Sequence, residues 1–239
     1  MALSTLPPEL RLRIYDYLPD IAHGRSVAVT DAASLMPPIC RTSRQIHQET
    51  ISIYAENTHF TIDTSEDSRE GASLPSRWLA ALGPSGVRRV RSLQLSRHWD
   101  ASQPTRWQGH VGFYVRLEEG PNEWRCTTGT YPVARDMRGM RLESVEPLRY
   151  VVRQNVLSRA SQRENQALSA SDIELIVSAM VIVANHPISA FDTEQSESGK
   201  KKRRETWVDM EEKLFGLHAN DRSGQDEPKR FFTPYSEPV

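Results

Sequence analysis

The sequence predicts an α+β fold, and three observations carry that expectation. Apolar residues recur at helical spacing in 6–18, 39–57, 145–157 and 171–184. Residues 111–118 instead alternate apolar and polar side chains, as a strand with one buried and one wet face requires. Beyond Asn185-His186-Pro187 the composition changes: residues 192–239 hold 9 basic and 11 acidic residues among 48, with few aliphatics. The chain therefore divides into a helical segment (1–63), an α+β body with an antiparallel hairpin (64–190) and a charged, largely disordered tail with one short amphipathic helix (191–239). Helices are expected to cover a small antiparallel sheet.

The first helix opens at Leu6-Pro7-Pro8, where a first turn tolerates proline, and stops at Pro19. Leu10, Ile14, Tyr17 and Leu18 fall on one apolar face, and Glu9 suits the positive end of the helix dipole. Small and polar residues make 20–34 a loop. Ile39, Ile46 and Ile53, spaced by seven with Thr50 and Tyr54 beside them, predict one helix over 39–57, ended by Asn57 in a left-handed cap. His59–Asp63 reads as a short strand, 64–73 as a polar loop and Leu74–Leu82 as a helix closed by Gly83-Pro84.

The Leu93/Leu95 pair looks like a strand, and Arg88-Arg89-x-Arg91 beside it like an exposed strand edge. Glu119-Gly120-Pro121-Asn122 is turn chemistry, so 111–131 forms a hairpin through Trp124, Cys126 and Thr128. Val145, Leu148, Val152 and Val156 share a helical face. Ser171-x-x-Glu174 has the form of a capping box for 171–184, whose apolar residues run nearly all round and imply deep burial. In the tail, Trp207, Met210, Leu214 and Leu217 line one face behind Thr206.

Several function classes are excluded at this stage. The 239 residues are 38% hydrophobic, and 30 basic against 31 acidic residues give −1, so no global field draws the chain to nucleic acid or membrane. No run approaches the roughly 18 apolar residues of a membrane span. The N-terminus lacks the basic start and apolar run of a signal peptide, which gives an expected nuclear or cytoplasmic location. Cys40 and Cys126 alone cannot build a disulfide scaffold or a four-thiolate metal site.

No glycine-rich phosphate loop or Gly-x-Ser-x-Gly elbow is present. Cys40 and His47 on one helix would stand about 10 Å apart, too far for a nucleophile and its base. The seven histidines lack metal-binding spacings. No catalytic residue, metal or cofactor is assigned, and the chain is expected to be non-enzymatic. Lys200-Lys201-Lys202-Arg203-Arg204 has the form of a nuclear-import signal; without a basic fold face or an aromatic platform beside it, nucleic acid is not an expected partner. Residues 1–199 contain no lysine.

Leu6-Pro7-Pro8-Glu9-Leu10-Arg11 with Ile14-Tyr15 and Leu18 resembles the opening of an F-box, in the F-box-like form common in filamentous fungi. The likeness continues through Cys40-Arg41, Arg44-Gln45-Ile46 and Glu49, then Tyr54, Glu56, Asn57 and Phe60. It extends to Trp78-Leu79, Gly83-Pro84 and Val90-Arg91-Ser92-Leu93, covering about residues 5–96. The resemblance implies two helices that dock on a Skp-type cullin adaptor, with the remainder of the chain holding a protein substrate. Carried over by position, the adaptor-facing residues are Leu6, Pro7, Glu9, Leu10, Ile14, Leu18, Cys40 and Arg41. The expected function is a non-enzymatic interaction module, a substrate-recruiting adaptor of a cullin-type ubiquitin ligase. The alternative is a nuclear scaffold or regulatory protein of the same fold without ligase contact.

Overall fold

The alternation at 111–118 becomes β4 (Val111–Glu119), which returns through Gly120 as β5 (Trp124–Pro132), so the expected hairpin is present. This comes from a computed structural model, which describes residues 3–30, 35–65, 73–99, 111–121, 123–132, 145–186, 205 and 208–217. The other elements, in chain order, are α1 (Pro8–Asp16), β1 (Arg25–Val29), α2 (Arg44–Asn57), β2 (Thr58–Asp63), α3 (Leu74–Val87), β3 (Ser92–His98), α4 (Glu146–Val151), α5 (Ser158–Ser161) and α6 (Ala170–Ala184). Residues 208–217 form a further helix, α7.

The fold is α+β, but the sheet is mixed rather than antiparallel. Its order is β1-β2-β3-β4-β5, parallel from β1 to β3 and antiparallel from β3 to β5. The reason lies in the connections: α2 carries the chain from β1 to β2 and α3 from β2 to β3, and a helical crossover returns the chain parallel. Both crossovers step the same way along the sheet, so one handedness sets α2 and α3 on one face. That face holds Phe60, Ile62, Leu93, Leu95, Phe113 and Val115, all buried. Ser26, Thr61, Gln94, Arg116 and Thr127 point the other way and are exposed or half-exposed.

β1 lies where the sequence predicts a loop. It is five residues long and only its odd positions face the core, too short a signal to stand out from its polar surroundings. The hydrophobic core is continuous from Tyr15 and Ile21 to Val183 and Leu214, so it crosses the 63/64 boundary without interruption.

Several local expectations change. The helix expected over 39–57 is broken: a 3₁₀ turn (Pro38–Arg41) ends before Ser43, whose side chain caps α2 by accepting from the Ile46 N–H. α2 does end at Asn57, but not through a left-handed residue. The chain passes directly into β2, and Asn57 Nδ2 donates to the Ile21 carbonyl at 3.0 Å. Gly83 does break α3, at φ 65°, and one more helical turn follows. Arg89 and Arg91 flank the turn into β3, which is an interior strand and not an edge. Arg91 pairs with Glu119, and both arginines approach Glu56, at 3.8 and 3.9 Å.

The helical run after Glu146 includes a π-helical stretch, Val152–Leu157, before α5; Val145, Leu148, Val152 and Val156 are buried as their spacing predicts. The capping box of α6 sits two residues earlier than the sequence suggests. Ser169 and Asp172 cap reciprocally, and the buried Asp172 also takes the guanidinium of Arg163. The charge inside the fold thus selected between two similar serine motifs.

α7 is docked on the body, with Met210 and Leu214 fully enclosed, and His186 Nε2 lies 3.0 Å from Asp209 Oδ2. Thr206, Trp207 and the run Lys200–Arg204 lie outside the described residues, as does most of the 64–73 loop.

On the outer sheet face Tyr131 lies over Gly112, its partner in register, and Tyr114 over Gly129. A Cβ on Gly112 would stand 2.3 Å from Tyr131 Cζ. Gly112→Ala should therefore cost about 1–3 kcal/mol, as overpacking does. Denaturant unfolding of Gly112→Ala and Gly112→Ala/Tyr131→Ala checks this: the second variant should recover part of the loss.

Candidate functional site

α1 packs inward through polar groups. Arg11 and Tyr15, one turn apart, are its buried residues, and both reach Glu49 on α2. Arg11 Nε donates to Glu49 Oε2 at 2.9 Å, Nη2 donates to Oε1, and Nη1 donates to the Leu6 carbonyl. The Tyr15 hydroxyl donates to Glu49 Oε2 at 2.8 Å and Gln45 Nε2 to Oε1 at 3.2 Å. One carboxylate therefore accepts from three side chains, and the fork of Arg11 fixes the rotation of α1 about its axis.

That rotation leaves the apolar stripe outside. Leu10 is 47% exposed, Ile14 36% and Tyr17 86%, at i, i+4 and i+7 on adjoining positions of the helix surface. Leu12, on another side of the helix, is also exposed. A run of large apolar residues on one short helix, held in place by a part-buried ion pair on another side, is suited to contact a second molecule.

The sequence-assigned residues separate accordingly. Leu10 and Ile14 share the outward face, with Pro7 and Glu9 exposed at the start of α1. Leu6 is half-buried, and Leu18 packs against the core. Cys40 is buried, its Sγ accepting from Thr50 Oγ1 at 3.2 Å, so its side chain presents nothing to a partner. Arg41 is exposed and donates to the Met36 carbonyl. It lines a shallow groove of about 330 Å³ with Cys40, Ser43, Arg44, His47 and Gln48.

Tyr17 completes the stripe, and Arg11, Tyr15 and Glu49 position it. The polar i, i+4 pair Arg11/Tyr15 was the available signal for the inward face, outweighed by the leucines beside it.

His47 Nδ1 contacts the Cys40 backbone carbonyl at 3.0 Å, which leaves the thiol without a base, and burial pushes that thiol up from its ordinary pKa. Among the described residues no three His, Cys, Asp or Glu side chains gather as metal ligands, and no helix is long and apolar enough to cross a membrane. Comparison with protein-family models, with curated proteins and with solved structures finds no match to this chain.

The clasp between α1 and α2 has a defined pH window. The Arg11 and Tyr15 hydrogen bonds hold the Glu49 carboxyl down to about 2, against 4.5 ordinarily. Burial, followed by the bond to Glu49, raises the Tyr15 phenol to about 12, against 10.0. A depressed carboxyl stabilises the fold above its unfolded pKa and loses that contribution as pH falls through about 4.5 towards 2. A raised phenol contributes below 10 and loses it as pH climbs towards 12. The protection of the α1 amides, their exchange rate divided by the intrinsic rate at each pH, should therefore be highest between about pH 5 and 9 and fall on either side. Glu49→Gln should lower Tm by several degrees and flatten the acid limb.

Proposed function

We propose that this chain is a non-enzymatic protein-interaction module that docks through the outward face of α1. The partner in this reading is a Skp-type adaptor of a cullin ubiquitin ligase, and the rest of the chain holds a protein substrate. The observation that carries it is the exposure of Leu10, Ile14 and Tyr17 on a helix whose opposite side is pinned by Arg11 and Glu49. Apolar anchors at helical spacing are what a helix-in-groove contact uses, and a few such anchors supply most of the affinity. The choice of partner rests on the resemblance of Leu6–Leu18 and Cys40–Glu49 to the F-box pattern. The work is placed in the nucleus or cytoplasm, with Lys200–Arg204 as the import segment.

Because the stripe is exposed, charge can be placed on it without unfolding the chain. Leu10→Asp/Ile14→Asp should lose roughly 2 kcal/mol or more of docking energy, about thirtyfold in affinity, while Tm stays within about 2 °C, as expected of surface positions. Co-purification with the adaptor, beside thermal unfolding of the same variant, checks both. Equal adaptor capture by the variant and the unaltered chain would reject the proposal. Failure of the unaltered chain to capture the adaptor would leave a scaffold without ligase contact as the better reading.

A further inference from the structure

The body of this protein is built without lysine. Residues 1–199 hold 21 arginines and no lysine, and residues 200–239 hold four arginines and five lysines, which together make the 30 basic residues of the chain.

The shape of the guanidinium explains some positions only. Arg11 forks onto Glu49 and Arg163 onto Asp172, and Arg116 sets Nε and Nη2 on Gln94 Oε1 at 2.9 and 2.7 Å. Lysine could not reproduce these contacts. The side chains of Arg77, Arg88 and Arg153 are different: they are exposed and make no hydrogen bond, ion pair or ring contact among the described residues. A solvated cation suffices there, and lysine would supply one. What these positions avoid is the primary amine.

The thiols are withdrawn too. Cys40 and Cys126 are both buried and unpaired with each other. The described body therefore exposes neither of the two side-chain nucleophiles that accept acyl groups readily. The lysine that is described, Lys213 on α7, is half exposed and pairs with Asp209 at 2.7 Å.

We propose that the body is kept free of lysine amines and exposed thiols so that ubiquitin-type modification of side chains in this protein is confined to Lys200, Lys201, Lys202, Lys213 and Lys229. This rests on the adaptor reading above. A chain held in a ligase sits beside a ubiquitin thioester for as long as it is bound, and proximity turns any neighbouring amine into an efficient target. In the transfer the ε-amine nitrogen attacks the thioester carbonyl. The C–N bond of an isopeptide forms, the C–S bond breaks, the thiolate leaves and the amine proton passes to a base, with no change of oxidation state. A guanidinium, which stays protonated, does not enter this reaction.

The test is conjugation by the reconstituted ligase, with adaptor, cullin and ubiquitin thioester, on four forms of the full-length chain. These are the unaltered chain, the five-fold tail Lys→Arg variant, the triple variant Arg77→Lys/Arg88→Lys/Arg153→Lys, and the two sets combined. The unaltered chain should be conjugated in the tail only, and the tail variant should lose at least nine-tenths of its conjugates. The combined variant should regain them at residues 77, 88 and 153, with adaptor capture and Tm unchanged. A combined variant that binds the adaptor yet stays unmodified overturns the inference, as does an unaltered chain that binds and is not conjugated. If the unaltered chain captures no adaptor, the docking reading has failed first, and this inference falls with it.

Discussion

The contact on which the outward surface depends is the reception of Arg11 and Tyr15 by Glu49. A guanidinium and a phenol one turn apart on α1 meet a single carboxylate on α2, and the planar fork allows little freedom of rotation. Without that carboxylate Leu10 and Ile14 would be the natural inward face, since burying them is favourable and leaving them in water is not. With it, the polar side goes in and the apolar side stays out. The arrangement stores exposed apolar surface at a fixed place and angle, which is the condition for recognition by a second protein.

The rest of the fold gives that clasp something rigid to stand on. α2 carries Glu49 outward while Ile46, Thr50, Ile51 and Tyr54 anchor its other side in the core. Tyr54 packs edge-on to Phe60, and Phe60 to Trp78, so α2, β2 and α3 meet through one aromatic column. α6 packs on α3 and β3, and α7 adds Met210 and Leu214 to the core from far along the chain. α1 thus rests, through Tyr15, on a core that includes residues from both ends of the described chain.

Charge is used in two distinct ways. Arg11 and Arg163 each set a fork on one carboxylate, and Arg91 reaches Glu119 with one nitrogen and Glu56 with the other, so each ties together separate parts of the chain. Arg77, Arg88 and Arg153 only keep the surface solvated. Over residues 1–199 every cationic side chain other than histidine is a guanidinium, so the positive charge of the body comes without lysine amines by residue choice and not by fold.

Part of the fold follows from local physics alone. The alternation of 111–118 and its glycine turn fixed the β4–β5 hairpin, the apolar block of 171–184 fixed a buried helix, and Gly83 fixed a break, because each depends on residues that are neighbours in the chain. The tertiary structure decided which serine caps α6, whether five residues near Val27 pair as a strand, where α7 lies and which way α1 faces. Those outcomes depend on Arg163 and Asp172, on β2, on His186 and on Glu49. The last lies 38 residues from the arginine it holds, beyond the reach of any pattern with a period of two or 3.6. Periodicity found the stripe; only the distant carboxylate turned it toward solvent.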